Sequence, residues 1–367
     1  MRLSSCCRET AERSLMKVKR RILREMPAPY AVNLHKIGGR QKAVFAAELN
    51  SLCVGVWADT LEQEVLWEGK GGTMNTFQLN ERGDFLAIQR FYRGFQSKDA
   101  CIVKVENREG KWEQTEIASL PFCHRMCVVE IEDVPHMVCC VLCADKESPD
   151  DWSQPGRVAV SKVPLRDGEQ ASFATILEGL HKNHGIFQGS LDGKETILVT
   201  GEEGIFQLKI PESLKEPWSY EKLIARETSD CTVLDVDGDG EDEIIAIEGF
   251  HGNRLAVYKR ENGRWEQVYT YPIEFGHAIW SGTIFSKPGF LIGYRAANAA
   301  LLLFQLREKR EGRWLMDITV LDEHEGPTNA VVAHGKEKEL IFSCSCSRDR
   351  ILLYELMREK KDESLAN

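Results

Sequence analysis

The chain of 367 residues has no run near the roughly 18 apolar residues that a membrane-spanning helix needs. Its basic start, eight Lys or Arg against three Glu in residues 1–26, is not followed by the apolar stretch of a secretory signal. Acidic residues outnumber basic ones by 57 to 47, and a net charge of -10 argues against a nucleic-acid surface. No phosphate loop, dinucleotide fingerprint or nucleophile motif occurs, which excludes P-loop, Rossmann and serine-hydrolase chemistry. These absences predict a soluble, cytoplasmic protein that works on neither membrane nor nucleic acid. No sequence feature fixes its oligomeric state.

What is present suits a large core: 43% hydrophobic and 28% charged residues, enough for two domains or one repeat array. Twelve cysteines are spread through the chain. Cys139, Cys140 and Cys143, in the apolar run "MVCCVLC", read as small buried thiols. "SCSCS" at 343–347 reads as strand interior, with soft-metal binding as the alternative.

Three stretches nearly repeat one another: "REGKWEQT" at 108–115, "ENGRWEQV" at 261–268 and "REGRWLMD" at 310–317. Gly110, Gly263 and Gly312 are 153 and 49 residues apart, three steps and one step of a unit near 50. Each lies between two strand-like segments, and two further strand-like segments precede it, as in "HAIWSGTIFSKPGFLIGYR". Four antiparallel strands per unit describe a propeller blade. Unit starts at Tyr30, Met74, His124, His184, Cys231, His277 and Thr328, spaced by 44, 50, 60, 47, 46 and 51 residues, give seven blades.

The seventh unit has three strands before the charged tail 357–367. "LMKVKRRILREMPAPYAV" from Leu15 resembles "LMDITVLDEHEGPTNAVV" from Leu315, an offset of six units. Residues 14–24 are therefore expected to supply the missing outer strand and close the ring, removing two exposed edges. The expected organisation is an extension 1–13, one all-β, seven-bladed propeller of four-stranded antiparallel blades over 14–356, and the tail. A basic amphipathic helix at 11–26 is the alternative for the N-terminal segment.

In such a ring the turns between strands one and two and between three and four share the bottom face. The tryptophan hairpins fall there, with Trp112, Trp265 and Trp314 expected to pack between blades. "DVDGDGEDE" falls there too, where Asp235, Asp237, Asp239 and Glu243 have the alternating spacing of calcium-wrapping loops. A turn held by side-chain to backbone hydrogen bonds alone is the other reading.

The top face carries histidines. His124, His184 and His277 occupy three of seven equivalent strand starts, where nine His in 367 residues would place about 0.2 by chance. His251 lies on the same face, with Arg90, Arg125, Arg295 and Arg348; His181 lies just before an inner strand. Singly, each ring could be a structural group bonded to a neighbouring blade's backbone. Together they suit a divalent metal (zinc, manganese or magnesium), with arginines for an oxyanion or carboxylate. The long loop 143–157 adds Asp150, Asp151 and Trp152, expected to form a partial lid with a stacking surface for a sugar.

"DVDGDGEDEIIAI" resembles the calcium-type repeat of FG-GAP and VCBS propellers. "HRM", "DDWSQPG", "HKNHGIF", "GFHGNRLAVYK", "FGHAI" and "EGPTNAVV" together are similar to the propeller part of aldos-2-ulose dehydratases, over roughly residues 120–356. The resemblance implies a seven-bladed propeller and a metal-dependent carbon-oxygen lyase acting on keto-sugars such as anhydrofructose. Unlike the fungal enzymes, the chain has no room for a cupin domain. For such a lyase the residues themselves suggest His124, His184 and His277 as metal ligands or contacts, and as catalytic groups His251 as general base or acid, Arg295 as substrate anchor, and Arg125. Asp150, Trp152, His181 and Arg90 are the expected substrate contacts, and the partner is a small-molecule carbohydrate. An isomerase, or a non-catalytic propeller binding a glycan or protein on its top face, is the alternative function.

Overall fold

The structure, a computed structural model, describes residues 16–49, 52–69, 71–92 and 97–358. The expected extension 1–13 and the end of the tail lie outside them. The described strands form seven four-stranded antiparallel sheets. Six blades run outward in chain order, from inner strands Pro29–Ile37, Asn75–Gln78, Cys123–Ile131, Ile186–Leu191, Thr228–Leu234 and Gly276–Ile284. The seventh is built of Pro327–His334, Lys338–Ser345, Arg350–Arg358 and, outermost, Met16–Glu25. The N-terminal segment is thus a strand, paired from Met16↔Arg358 to Glu25↔Arg350. The seventh blade's third strand runs to Arg358, two residues into the expected tail.

Alternating apolar residues on each blade fill the seams between blades, and seven buried clusters correspond to the seven seams. The seam between blades seven and one joins Phe342 and Leu353 to Phe45 and Val54. That between blades five and six stacks Phe290 on Phe304, with centroids 5.1 Å apart. The repeated hairpins share one turn: Glu109-Gly110, Asn262-Gly263 and Glu311-Gly312 all have positive φ at both positions. This pair of left-handed residues matches strand twist, which explains the recurring glycine. Trp112 donates its indole N–H to Glu64 of blade one at 2.7 Å, and Trp265 and Trp314 pack into the seams beside blades four and five. All ten described cysteines are buried and none is in a disulfide.

A β-bulge recurs where most inner strands begin. The register skips Tyr30, His124, Ser229, His277 and Thr328 against their partner strands. A bulge re-aims one side chain, and here it turns it toward the axis. The fifth unit's equivalent residue is therefore Ser229 rather than Cys231. Sequence alignment placed it two residues too late, because a shift of two leaves the alternation of a strand unchanged.

Candidate functional site

These bulge residues and His184, which precedes the fourth inner strand, are linked around the axis. His124 Nδ1–H donates to the His184 carbonyl at 3.1 Å, His184 Nδ1–H to Ser229 at 3.0 Å, and His277 Nδ1–H to Thr328 at 2.7 Å. Thr328 Oγ1 continues the ring by donating to the Tyr30 carbonyl at 3.1 Å. A carbonyl can only accept, so each imidazole carries its proton on Nδ1 and turns an Nε2 lone pair inward. The alternative reading of a backbone-bonded ring is thus true of one nitrogen in each of these rings; the other is without a partner in His124 and already accepts a bond in His277. Tyr30 Oη donates to His277 Nε2 at 3.0 Å.

His251 comes from the loop between the second and third strands of blade five, at φ +47°. A non-glycine residue there is strained, a cost that tends to be kept at functional positions. Its ring stacks on His277 (5.1 Å, 13°) and on Phe275 (4.7 Å, 19°). Its Nε2 lies 3.3 Å from Nε2 of His184. Ligand atoms of His184, His251 and His277 all lie within 4.8 Å of one another. The converging set therefore includes His251, expected as a base. His124 sits beside it, its ring 4.2 Å from that of His184 and its buried Nε2 without a hydrogen-bond partner.

Burial pushes the His124, His184 and His277 rings well below their ordinary values, and His251 down to about 3. The nearby Arg125 and Arg295 guanidiniums push in the same direction. All four rings are neutral at neutral pH, the state that a metal ligand requires. Of the three converging rings, His184 and His277 are held through Nδ1–H bonds to carbonyls and His251 by stacking on His277, and neutral imidazoles so grouped fit a divalent ion in donor type.

Arg125 follows the bulge of blade three and Asp230 that of blade five, and they face each other at 3.8 Å. Gly185 of the blade between leaves them room: a Cβ there would lie 2.7 Å from Asp230 Oδ1. Burial raises the Asp230 carboxyl to about 6. Arg125 Nε and Ser229 Oγ are buried without partners. Below them the central channel opens into a cavity of about 330 Å³, to which every blade contributes a polar group, including Asn33, Gln188, Ser281 and Asn329.

The expected substrate contacts divide. The loop that follows Cys143 reaches from blade three to blade five, where Trp152 meets Phe250 edge to face at 5.0 Å. Lys146 covers one face of that indole at 3.2 Å, and Asp150 is exposed. His181 pairs with Glu203 at 2.7 Å instead of joining the cluster. Arg90 is drawn outward to Glu116 at 2.6 Å and Cys101 at 3.2 Å, away from the axis, because Glu116 lies on the outer strand of its own blade. Arg348 binds the His324 carbonyl at 3.1 Å. Sequence reasoning missed Tyr30, Asp230, Phe250 and Phe275 as site residues. Aligning the fifth unit on Ser229 would have exposed Asp230 as the counterpart of Arg125.

On the opposite face, ligand atoms of Asp235, Asp237 and Asp239 lie within 4.8 Å of one another. Asp235 accepts backbone N–H groups of Gly238, Asp239 and Gly240. Lys259 reaches Asp239 at 2.9 Å, Asp237 at 3.2 Å and Glu243 at 2.5 Å, and Lys309 also contacts Asp237.

No family model matches the chain, and no curated protein matches it. Solved structures do. A chain of the mitotic checkpoint complex aligns over 97% of this chain and 96% of its own, with TM-score 0.58 and 8% identity. A putative 6-phosphogluconolactonase from Bacteroides fragilis aligns over 88% and 93%, with TM-score 0.53 and 11% identity. A Dos1 propeller aligns over 86% and 75%, with TM-score 0.53 and 6% identity. At these identities the likeness establishes the propeller fold alone. Among the described residues no helix is long and apolar enough to cross a membrane.

Proposed function

We propose that the protein is a divalent-metal-assisted carbon-oxygen lyase acting on a keto-sugar or anhydro-keto-sugar in the top-face funnel. The observation that carries this is the convergence of ligand nitrogens from His184, His251 and His277 within 4.8 Å, all neutral. The sequence resemblance to aldos-2-ulose dehydratases supports the same chemistry, and FG-GAP/VCBS membership stays part of this proposal. These three rings would hold zinc, manganese or magnesium, with Tyr30 Oη giving up its bond to His277 Nε2. When bound, such an ion polarises a carbonyl and acidifies the adjacent C–H.

The remaining steps belong to the chain. Since His251 is placed among the ligands, His124 Nε2, unpartnered beside His184, takes the α-proton. The C–H electron pair becomes the new C=C bond, and the hydroxyl on the next carbon leaves as water with the proton returned by the same imidazole. Arg125 and Arg295 orient the substrate oxygens. An isomerase would share the first step and return the proton to the neighbouring carbon.

Elemental analysis of protein purified without chelator tests this. About one zinc or manganese per chain is expected, lost in His277→Ala, whereas His124→Ala should keep the metal and lose turnover by about a hundredfold or more. Metal-free wild-type protein with no activity on keto-sugars would leave the second reading, a non-catalytic propeller binding a glycan or protein. That reading is favoured by the burial of His124, His184 and His277 and their bonds to backbone.

A further inference from the structure

We propose that the funnel recognises a sugar acid, with the ligand's carboxylate seated on Arg295. The inference deepens the lyase reading and rests on it for the reaction, but its own grounds are the charges around the funnel. Arg125 has Asp230 at 3.8 Å, and Lys182 at the rim has Glu227 at 3.2 Å and Glu202 at 3.4 Å. Arg295 is different. Among the described residues its guanidinium meets no carboxylate and lies 5.4 Å above the Phe275 ring.

That position is built. The Arg295 backbone N–H donates to the Phe275 carbonyl at 2.9 Å, which joins the two loops. Phe275 is 40% exposed and held at φ +59°. Its ring, His251 and His277 then stack nearly parallel, so the guanidinium caps a column that ends at the converging nitrogens. An unpaired guanidinium attracts a negative charge and binds a carboxylate through two parallel N–H bonds. A neutral sugar would leave it uncompensated. A sugar acid matches both charge and geometry, and its ring can lie against exposed Phe275.

Titration calorimetry of the purified protein with D-glucuronate, D-glucose and D-glucose 6-phosphate tests the proposal without requiring turnover. Wild type should bind glucuronate about ten- to a hundredfold more tightly than glucose. Arg295→Gln should abolish that ratio while Arg295→Lys keeps part of it, and circular dichroism of both variants checks folding. Equal binding of glucuronate and glucose, no binding of either, a preference for the phosphate, or an unchanged ratio in Arg295→Gln would each overturn it. Selective binding without lyase activity on any keto-sugar would leave this inference standing and remove the lyase reading. Lyase activity on neutral keto-sugars untouched by Arg295→Gln would do the reverse.

Discussion

Buried histidines dominate the acid-base behaviour at the scale of single residues. His124, His184, His251 and His277 are held neutral by burial, as is His35, whose two ring nitrogens are buried without partners and which is pushed down to about 4. Unfolding releases these rings to bind protons near 6.5, which the native state refuses until about 3 at His251. The unfolded state thus takes up more protons below 6.5, and stability, complete above that value, falls as pH drops through it. Asp230 and Glu243 act in the opposite sense: burial raises them to about 6 and about 7, so their contribution falls as pH rises toward those values. Five rings outnumber two carboxyls, and in chelator the melting temperature should drop from pH 7 to pH 5. His35→Leu, away from the cluster, should flatten that drop by about one proton, or about 1.4 kcal/mol per pH unit. Urea unfolding at both pH values measures it, and an unchanged slope in His35→Leu would refute the argument. At this scale the sequence disclosed which side chains matter better than how they are used. Histidine register found three of the four rings, but tautomers, the stacking of His251 and the Asp230 partnership depend on bulges with no residue signature.

At the scale of elements, legibility follows from how local the determinant is. The type I′ hairpins repeat because Gly110, Gly263 and Gly312 sit where φ must be positive, and the repeat is therefore visible as letters. The loop carrying Asp235, Asp237 and Asp239 was equally visible, yet its counter-charges, Lys259 and Lys309, come from the third strands of blades five and six and had no reason to be read with it. Calcium there must compete with two ammonium groups already among the carboxylates. Lys259→Met would leave Asp237, Asp239 and Glu243 short of their shared cation, and burial already raises Glu243 to about 7. Without calcium this variant should melt lower than wild type, and millimolar calcium should restore it more than it shifts wild type. Equal calcium responses of the two proteins would remove the loop from consideration as a cation site. Because the loop lies on the face opposite the histidines, neither change should alter the behaviour of the histidine cluster.

For the whole molecule the decisive joint is the one that the chain does not make in sequence. Six blades finish their own fourth strand, so each seam is sealed by neighbours in sequence, whereas blade seven borrows Met16–Glu25 from the other terminus. The borrowed strand adds more than backbone pairing. Arg20 reaches back to Asp322 of blade six at 2.6 Å and to Glu325, which Arg350 also holds at 3.0 Å, while Tyr354 donates to Asp322 at 2.9 Å. Met16 and Val18 pack against the seam between blades six and seven, and Leu23 against that between seven and one. Removing residues 1–25 would therefore strip one ladder and weaken two of the seven seams at once. The third strand Arg350–Arg358 would become an open edge, a template for pairing with another chain. Such a truncation is expected to lower the melting temperature and to associate in a concentration-dependent way, whereas Arg20→Ala, which keeps the ladder, should destabilise only slightly. Sedimentation velocity and thermal melts of the three proteins separate these cases. A truncated chain that stays monomeric and melts with wild type would show that the seams alone close the ring. A synthetic peptide of residues 14–26 should restore monomer and melting temperature if the strand itself is the clasp.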